Sequence, residues 1–392
     1  MMNNTTLKPE TLAIRGARTQ TAYNEHAQAL FLTGSFTFDT AEDAQALFLG
    51  EKDGYSYSRT ANPTVDAFAR RMAQLENAEN GIATATGMAA VQATFLSFLK
   101  AGDHLLASSA LFGSNIGLIN NLPNFGIEVS YVASHKAEDW QAAIRPNTKM
   151  LFVETPSNPT LALFDIAVLS EIAHQNNALL AVDNSFLTPA IQRPVALGAD
   201  LSVSSATKGI DGQGRVLGGV ICGSNALIEQ VFLHTRTAGQ SLSPFNAWVL
   251  SSGLETLFVR CEKQADNAYQ LAQYLQNHPK IQQVNYPFLA THPQYDLAQK
   301  QQKSGGTLIA VYVQGEKQQA WQVIDNLQLF SRTGNLGDVR SMITHPYTTT
   351  HARVPDAEKI AANITPNLLR ISVGLEHIDD LIADWDRVLE KI

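Results

Sequence analysis

A chain of 392 residues, 45% hydrophobic and 16% charged, is long enough for two or three domains and a large buried core. Its formal net charge of −8 argues against nucleic acid or an anionic membrane surface as partner, and no apolar run reaches the roughly 18 residues of a spanning helix. Cys222 and Cys261, the only cysteines, show neither metal-ligand spacing nor a disulfide framework. Both read as buried thiols of a reducing compartment. The first ten residues, Met1 to Glu10, lack the apolar centre of a signal peptide, so a cytoplasmic protein is expected.

The first sixty residues are weakly periodic, yet they carry Phe31, Phe36, Phe38, Phe48, Tyr55 and Tyr57. A segment of this kind cannot form its own core and should lie on something else, with a neighbouring subunit as candidate. Tyr57 and Arg59 form the donor set of a phosphate site; the alternative is a solvated Arg beside a packed Tyr. Asn62-Pro63 marks the start of a helix with Val65, Phe68, Met72 and Leu75 on one face.

Gly81 to Thr86 reads as a strand, and Gly87-Met88 opens a helix on which Met88, Val91, Phe95 and Leu99 keep a 3.6-residue period. Strand, glycine and helix N-terminus together suit an anion, although the spacing is neither a Walker loop nor a dinucleotide fingerprint. Strands follow at Asp103–Ser108, Ile127–Val132, Lys149–Val153, Leu179–Asp183 and Asp200–Ser204, alternating with helical or loop segments. That alternation is the mark of an α/β fold with a parallel sheet, whose chemistry gathers at the carboxyl ends of the strands. Phe112 follows the first of these five strands and could stack on a planar ring or pack in the core. Asn158, in Glu154-Thr-Pro-Ser-Asn158-Pro, follows the third and serves either a turn or a cofactor oxygen.

Two strand ends carry the strongest signal. Leu179 to Asp183 is apolar until it stops on a carboxylate, and the next strand leads into Ser205-Ala-Thr207-Lys208. A buried ammonium is costly, and a lysine that loses its proton easily is the usual Schiff-base former. An Asp at one strand end and a Lys at the next suit pyridoxal phosphate (PLP): the Asp keeps the pyridine nitrogen protonated and the Lys holds the aldehyde. Ser205 and Thr207 could donate to its phosphate.

From about Gln240 a helical stretch runs through Leu257 and past Leu275. A second, smaller α/β unit follows, with strands at Thr307–Val313 and Leu368–Val373. Its last helix carries Ile378, Leu381, Trp385, Leu389 and Ile392 on one stripe. Asn335 to Arg340 and Thr344 to His351 read as a polar loop, and neither His345 nor His351 has a metal-ligating partner at suitable spacing. Arg370 interrupts an apolar strand, so it either pairs with a buried carboxylate or awaits one from a substrate.

Seven motifs occur in one order: Tyr57-Ser-Arg59…Asn62-Pro63, Thr86-Gly87-Met88, Glu154-Thr-Pro-Ser-Asn158-Pro, Asp183-Asn-Ser, Ser205-Ala-Thr207-Lys208, Ser241-Leu-Ser-Pro and Arg370-Ile-Ser-Val-Gly374. In this the chain, from about Glu10 onward, resembles the Cys/Met metabolism PLP enzymes. The resemblance implies PLP-dependent transferase fold type I, the aspartate-aminotransferase-like fold. Its large domain has a mainly parallel seven-stranded sheet, followed by a smaller C-terminal α/β domain. The expected division is 1–62 as a segment packing on the neighbouring subunit, 63–253 as the PLP-binding domain and 254–392 as the small domain. Homotetramers built from catalytic dimers are implied, with no nucleic-acid or membrane partner.

The same resemblance casts Lys208 as the catalytic Schiff-base lysine and Asp183 as the pyridinium partner. Gly87, Met88, Ser205 and Thr207 hold the phosphate, together with Tyr57 and Arg59 from the neighbour. Phe112 stacks on the ring, Asn158 contacts the cofactor hydroxyl, and Arg370 takes the substrate α-carboxylate with Asn335, Asn158 and Tyr57 alongside. Two departures matter: Phe112 stands where most members have Tyr, and Gly209 where Tyr is common. Phe112, Ile210-Asp-Gly-Gln-Gly-Arg215 and Asn335-Leu-Gly337 in place of Ser-Leu-Gly look most like the O-succinylhomoserine sulfhydrylase branch. The expected reaction is a γ-replacement of the acyloxy group of O-succinylhomoserine by sulfide. Arg340 and Arg353 are candidates for the distal succinyl carboxylate. Cystathionine γ-synthase, a cystathionine or methionine γ-lyase, and an inactive scaffold are the competing expectations.

Overall fold

The computed structural model describes residues 7–17 and 20–391. Ile392, assigned above to the last helical stripe, lies outside the described residues, as do Met1 to Thr6. Seven strands make the first sheet: β1 (Asn80–Thr84), β2 (His104–Ser108), β3 (Glu128–Val132), β4 (Thr148–Glu154), β5 (Leu179–Asp183), β6 (Leu201–Ser205) and β7 (Gly219–Gly223). Their order is β1-β7-β6-β5-β4-β2-β3, and β7 alone runs against the rest. The sheet is therefore mainly parallel, as the alternation of apolar strands and helices predicts.

Burial on both faces explains the strand composition. Leu105, Ala107, Met150 and Phe152 join one core cluster, while Leu106, Leu151, Val153 and Leu180 join another on the opposite face. Helices Gly87–Phe98 and Asn225–Ala238 cover the first face; Ile166–Gln175 lies on the second. A central parallel strand covered twice is mostly apolar, although β6 buries Ser202 and Ser204 within it. The polar residues Glu154, Asp183 and Ser205 are the last of the neighbouring strands β4, β5 and β6, where each leaves the layer. β1 ends on the same side and stops two residues earlier than its sequence suggests, because Thr86 caps the following helix through Ala89 N–H.

The second sheet has the order β10-β11-β12-β9-β8, with β8 (Ile281–Asn285), β9 (Leu308–Val313), β10 (Ser331–Arg332), β11 (Met342–Thr344) and β12 (Leu368–Ser372). Its core joins Ile309, Val311, Leu369 and Ile371 to Trp385 and Leu389 of the helix Ile378–Leu389. Two expectations are corrected here. The helical stretch after Gln240 is broken at Thr256 into Pro244–Glu255 and Leu257–Gln276. The polar loop before His351 contains β11, which pairs with β12 so that Thr344 lies opposite Arg370. The loop between β10 and β11 reaches back to the first sheet: Gly337, at φ +76°, has room for no Cβ, which would fall 2.6 Å from the Gly209 nitrogen. No helix among the described residues is long and apolar enough to cross a membrane.

Candidate active site

The carboxyl ends of the parallel strands open into a cavity of ≈ 240 Å³ lined by Gly87, Met88, Phe112, Asn158, Asp183, Ser205, Thr207, Lys208 and Arg370. Nine of the residues singled out from the sequence thus meet in one place. A larger cleft of ≈ 760 Å³ lies along the helix Leu257–Gln276, and none of those nine lines it.

Lys208 sits in a tight turn directly after β6, where its N–H donates to Ser205 O and its carbonyl accepts from Gly212 N–H. Its Nζ donates to Asn335 Oδ1 at 2.6 Å. Burial, and next the positive charge of Arg370, pull the ammonium down from its ordinary value to about 8, against the opposing pull of Asp183. Asp183 is 8% exposed and receives three donors: Ser185 N–H at 3.0 Å, Ser185 Oγ–H at 2.6 Å and Asn115 Nδ2 at 3.1 Å. Burial pushes its carboxyl up, while these donors and Lys208 work to keep it charged.

At the other end of the cavity the helix Gly87–Phe98 begins. Thr86 satisfies Ala89 N–H and Ala90 N–H, whereas Gly87 N–H and Met88 N–H find no protein partner among the described residues. A Cβ at Gly87 would fall 2.6 Å from the Ser205 Cβ, so only glycine lets the helix end approach that hydroxyl. Free N–H groups, the Ser205 hydroxyl and the positive end of the helix form an anion cradle. The Thr207 hydroxyl is partly spent, since it accepts from Gly218 N–H at 3.1 Å.

Arg370 is fully enclosed and its guanidinium makes no ion pair among the described residues. Nη1 donates to Asn158 Oδ1 at 3.2 Å, Nη2 donates to Gly334 O and Asn335 O, and Nε has no partner. Burial lowers its pKa to about 10. An enclosed guanidinium with a spare donor on the wall of a cavity has the chemistry to take a carboxylate.

These groups fit PLP: an anion cradle, a buried carboxylate with three donors, an amine of lowered basicity and an aromatic ring beside them. Tyr57 and Arg59 do not join them within one chain. Tyr57 is 49% exposed, and Arg59 stacks on it and donates to Arg236 O. Arg340 is tied to Asp338 and Gln213 O outside the cavity, which removes it as a receptor for the distal carboxylate; Arg353 is exposed. Three residues beside the cavity were given no role from sequence: Asn115, Ser185 and Glu154. Only Ser185, two positions after Asp183, carried a local signal, that of an Asp side chain closing a turn on its own backbone.

A model of the Cys/Met metabolism PLP-dependent enzymes matches residues 10–390. The O-succinylhomoserine sulfhydrylase of Pseudomonas aeruginosa is 48% identical over 384 residues, covering 98% of this chain and 95% of that protein. The L-methionine gamma-lyase of Fusobacterium nucleatum is 39% identical over 386 residues, 97% of this chain and 98% of that one. A Campylobacter jejuni structure, described as an O-acetylhomoserine (thiol)-lyase carrying N'-pyridoxyl-lysine-5'-monophosphate, superposes with a TM-score of 0.94 at 32% identity. It covers 98% of this chain and 100% of its own.

Proposed function

The chain belongs to the Cys/Met metabolism PLP-dependent enzymes, and on that premise we propose that it converts O-succinylhomoserine and sulfide to homocysteine and succinate. PLP, when bound, supplies the electron sink that makes protons at Cα and Cβ of an amino acid removable. The chain supplies the rest. Lys208 would hold the cofactor through its amine, and the same amine would carry protons at Cα and Cβ of the substrate. Its lowered basicity suits both taking and returning them near neutral pH. Asp183 would pair with the ring nitrogen, whose positive charge would favour the ionised carboxylate. The cradle of Gly87, Met88, Ser205 and Thr207 takes the phosphate, Asn158 the ring hydroxyl, and Arg370 the substrate α-carboxylate, with Asn335 beside it. Phe112 stacks but has no hydroxyl to move a proton, which leaves that work to Lys208.

One observation carries the choice of donor: Lys208 and Arg370 are the only cationic side chains that line the cavity among the described residues. A cysteine donor would bring a second ammonium and carboxylate, and an unpaired buried charge is costly. Sulfide needs no such partners. The distal succinyl carboxylate would need a partner of its own, for which the exposed Arg353 is the candidate. Competition with equal sulfide and cysteine decides: homocysteine should dominate, and a predominance of cystathionine would identify a cystathionine γ-synthase instead.

The quaternary reading is likewise ours. The expected segment 1–62 is not wholly the neighbour's, since the helix Pro9–Arg15 buries Leu12 and Ala13 against this chain's own Phe68 and Met72. The stretch around Tyr57 and Arg59 lies on the neighbouring subunit and brings both to its phosphate, with Tyr57 also near its substrate. Residues 63–253 and 254–392 are the two domains, and catalytic dimers pair into a cytoplasmic homotetramer. The support is the exposure of Tyr57 and Arg59, outside their own chain's cavity.

A further inference from the structure

Glu154 and Asp183 end adjacent parallel strands and lie opposite each other in register. Both are buried, and both line the cavity. They also hold the same turn. Glu154 Oε2 accepts Phe112 N–H at 2.7 Å, while Asp183 Oδ2 accepts Asn115 Nδ2 at 3.1 Å. Phe112 is the N-cap of the short helix Gly113–Ile119, and its side chain makes no capping bond, so the entry of that helix is fixed from outside.

We propose that Glu154 is a positioning residue that sets the Phe112 ring against the cofactor by holding its backbone N–H. Asp183 secures the other end of the turn through Asn115. Glu154 works as a neutral carboxyl, because two carboxylates side by side in a buried site cannot both ionise cheaply. The donors decide which one keeps the charge. Asp183 has three and Glu154 has one. The charged groups facing Glu154 are Asp183 on β5 and Arg370 on β12, and Arg370 forms no hydrogen bond to it. Burial first, then the Asp183 charge, push its proton affinity well above the ordinary carboxylate range.

A neutral acceptor can be replaced by an amide; a counter-ion cannot. The inference rests on PLP binding in this cavity, and the experiment separates the two. Wild type, Glu154→Gln, Glu154→Ala and Glu154→Asp are titrated with PLP, and the visible circular dichroism of the bound cofactor reports how it is seated. Glu154→Gln should keep the wild-type signal and an affinity within about twofold. Glu154→Ala, and Glu154→Asp whose carboxyl is too short to reach Phe112, should bind about tenfold more weakly, the worth of one buried hydrogen bond, with an altered signal. Glu154→Asp serves alone if Glu154→Ala does not fold. A Gln variant as impaired as Ala would overturn the neutral role, and an Ala or Asp variant like wild type would overturn the positioning role. Failure of the wild type to take up PLP would instead refute the cofactor site itself.

Discussion

Stripped of its cofactor, the chain should present Lys208 as an unusually weak base, and the consequence can be measured. With its pKa drawn from 10.5 to about 8, about one chain in ten carries the neutral amine at pH 7. For an ordinary lysine the share is roughly three in ten thousand, so the gain in reactive amine is about 300-fold. Only the neutral amine attacks the aldehyde of PLP. The initial rate of reconstitution, followed by visible absorbance, should therefore climb with pH and level off above about 8. Arg370→Met tests the cause. Removing that positive charge takes away the second-largest depressing influence and leaves burial, the largest, in place. The midpoint should rise part of the way towards 10.5, slowing reconstitution at pH 7. A wild-type midpoint near 10.5 would refute the reasoning. So would an Arg370→Met midpoint that falls.

Two further outcomes follow from other parts of the chain. Mixed dimers of an Arg59→Ala subunit and a Lys208→Ala subunit should regain activity, because one site per hybrid is intact; verified hybrids that stay inactive would place Arg59 outside the neighbour's site. Glu76 is buried, and burial raises its pKa from 4.5 to about 7 against the opposing pull of Asn184, Ser202 and Arg193. The stability its protonated form confers is complete below pH 4.5 and is lost as pH rises through about 7, a swing of up to ~3 kcal/mol. Denaturant unfolding at about pH 5 and pH 8 should show that fall in wild type and a smaller one in Glu76→Gln; equal slopes would exclude Glu76 as its source.

The large sheet was legible because its central strands β4 and β5 are buried along most of their length and read as apolar runs. Asp183 was legible because it ends such a run on a charge, and Lys208 because it stands alone among small hydroxyl residues just past β6. What could not be read was whatever depends on partners distant in sequence. Asn115 lies on a seven-residue helix too short to show a period, and its bond to Asp183 spans 68 positions. Glu154 was seen at its strand end, but its function follows from the register with Asp183. β11 is three residues long in a polar stretch, below the length at which alternation distinguishes a strand from a loop. Arg340 failed as a receptor for a local reason, since Asp338 two residues away already holds its guanidinium.

The loop between β10 and β11 explains why a second unit is needed at all. Gly337 packs on the peptide that follows Lys208, and Asn335 accepts from its Nζ, so the lysine is held at both ends by a segment of the other sheet. The same Asn335 offers its backbone oxygen to Arg370. In the proposed reaction, holding the substrate carboxylate and placing the proton carrier would thus pass through one residue, yet by different atoms. Arg370 uses the main chain, which survives substitution, and Lys208 uses the side chain, which does not. An Asn at 335 in place of Ser changes the second task while leaving the first intact, and a longer side chain with a fixed carbonyl acceptor is suited to a site where Phe112 can move no proton.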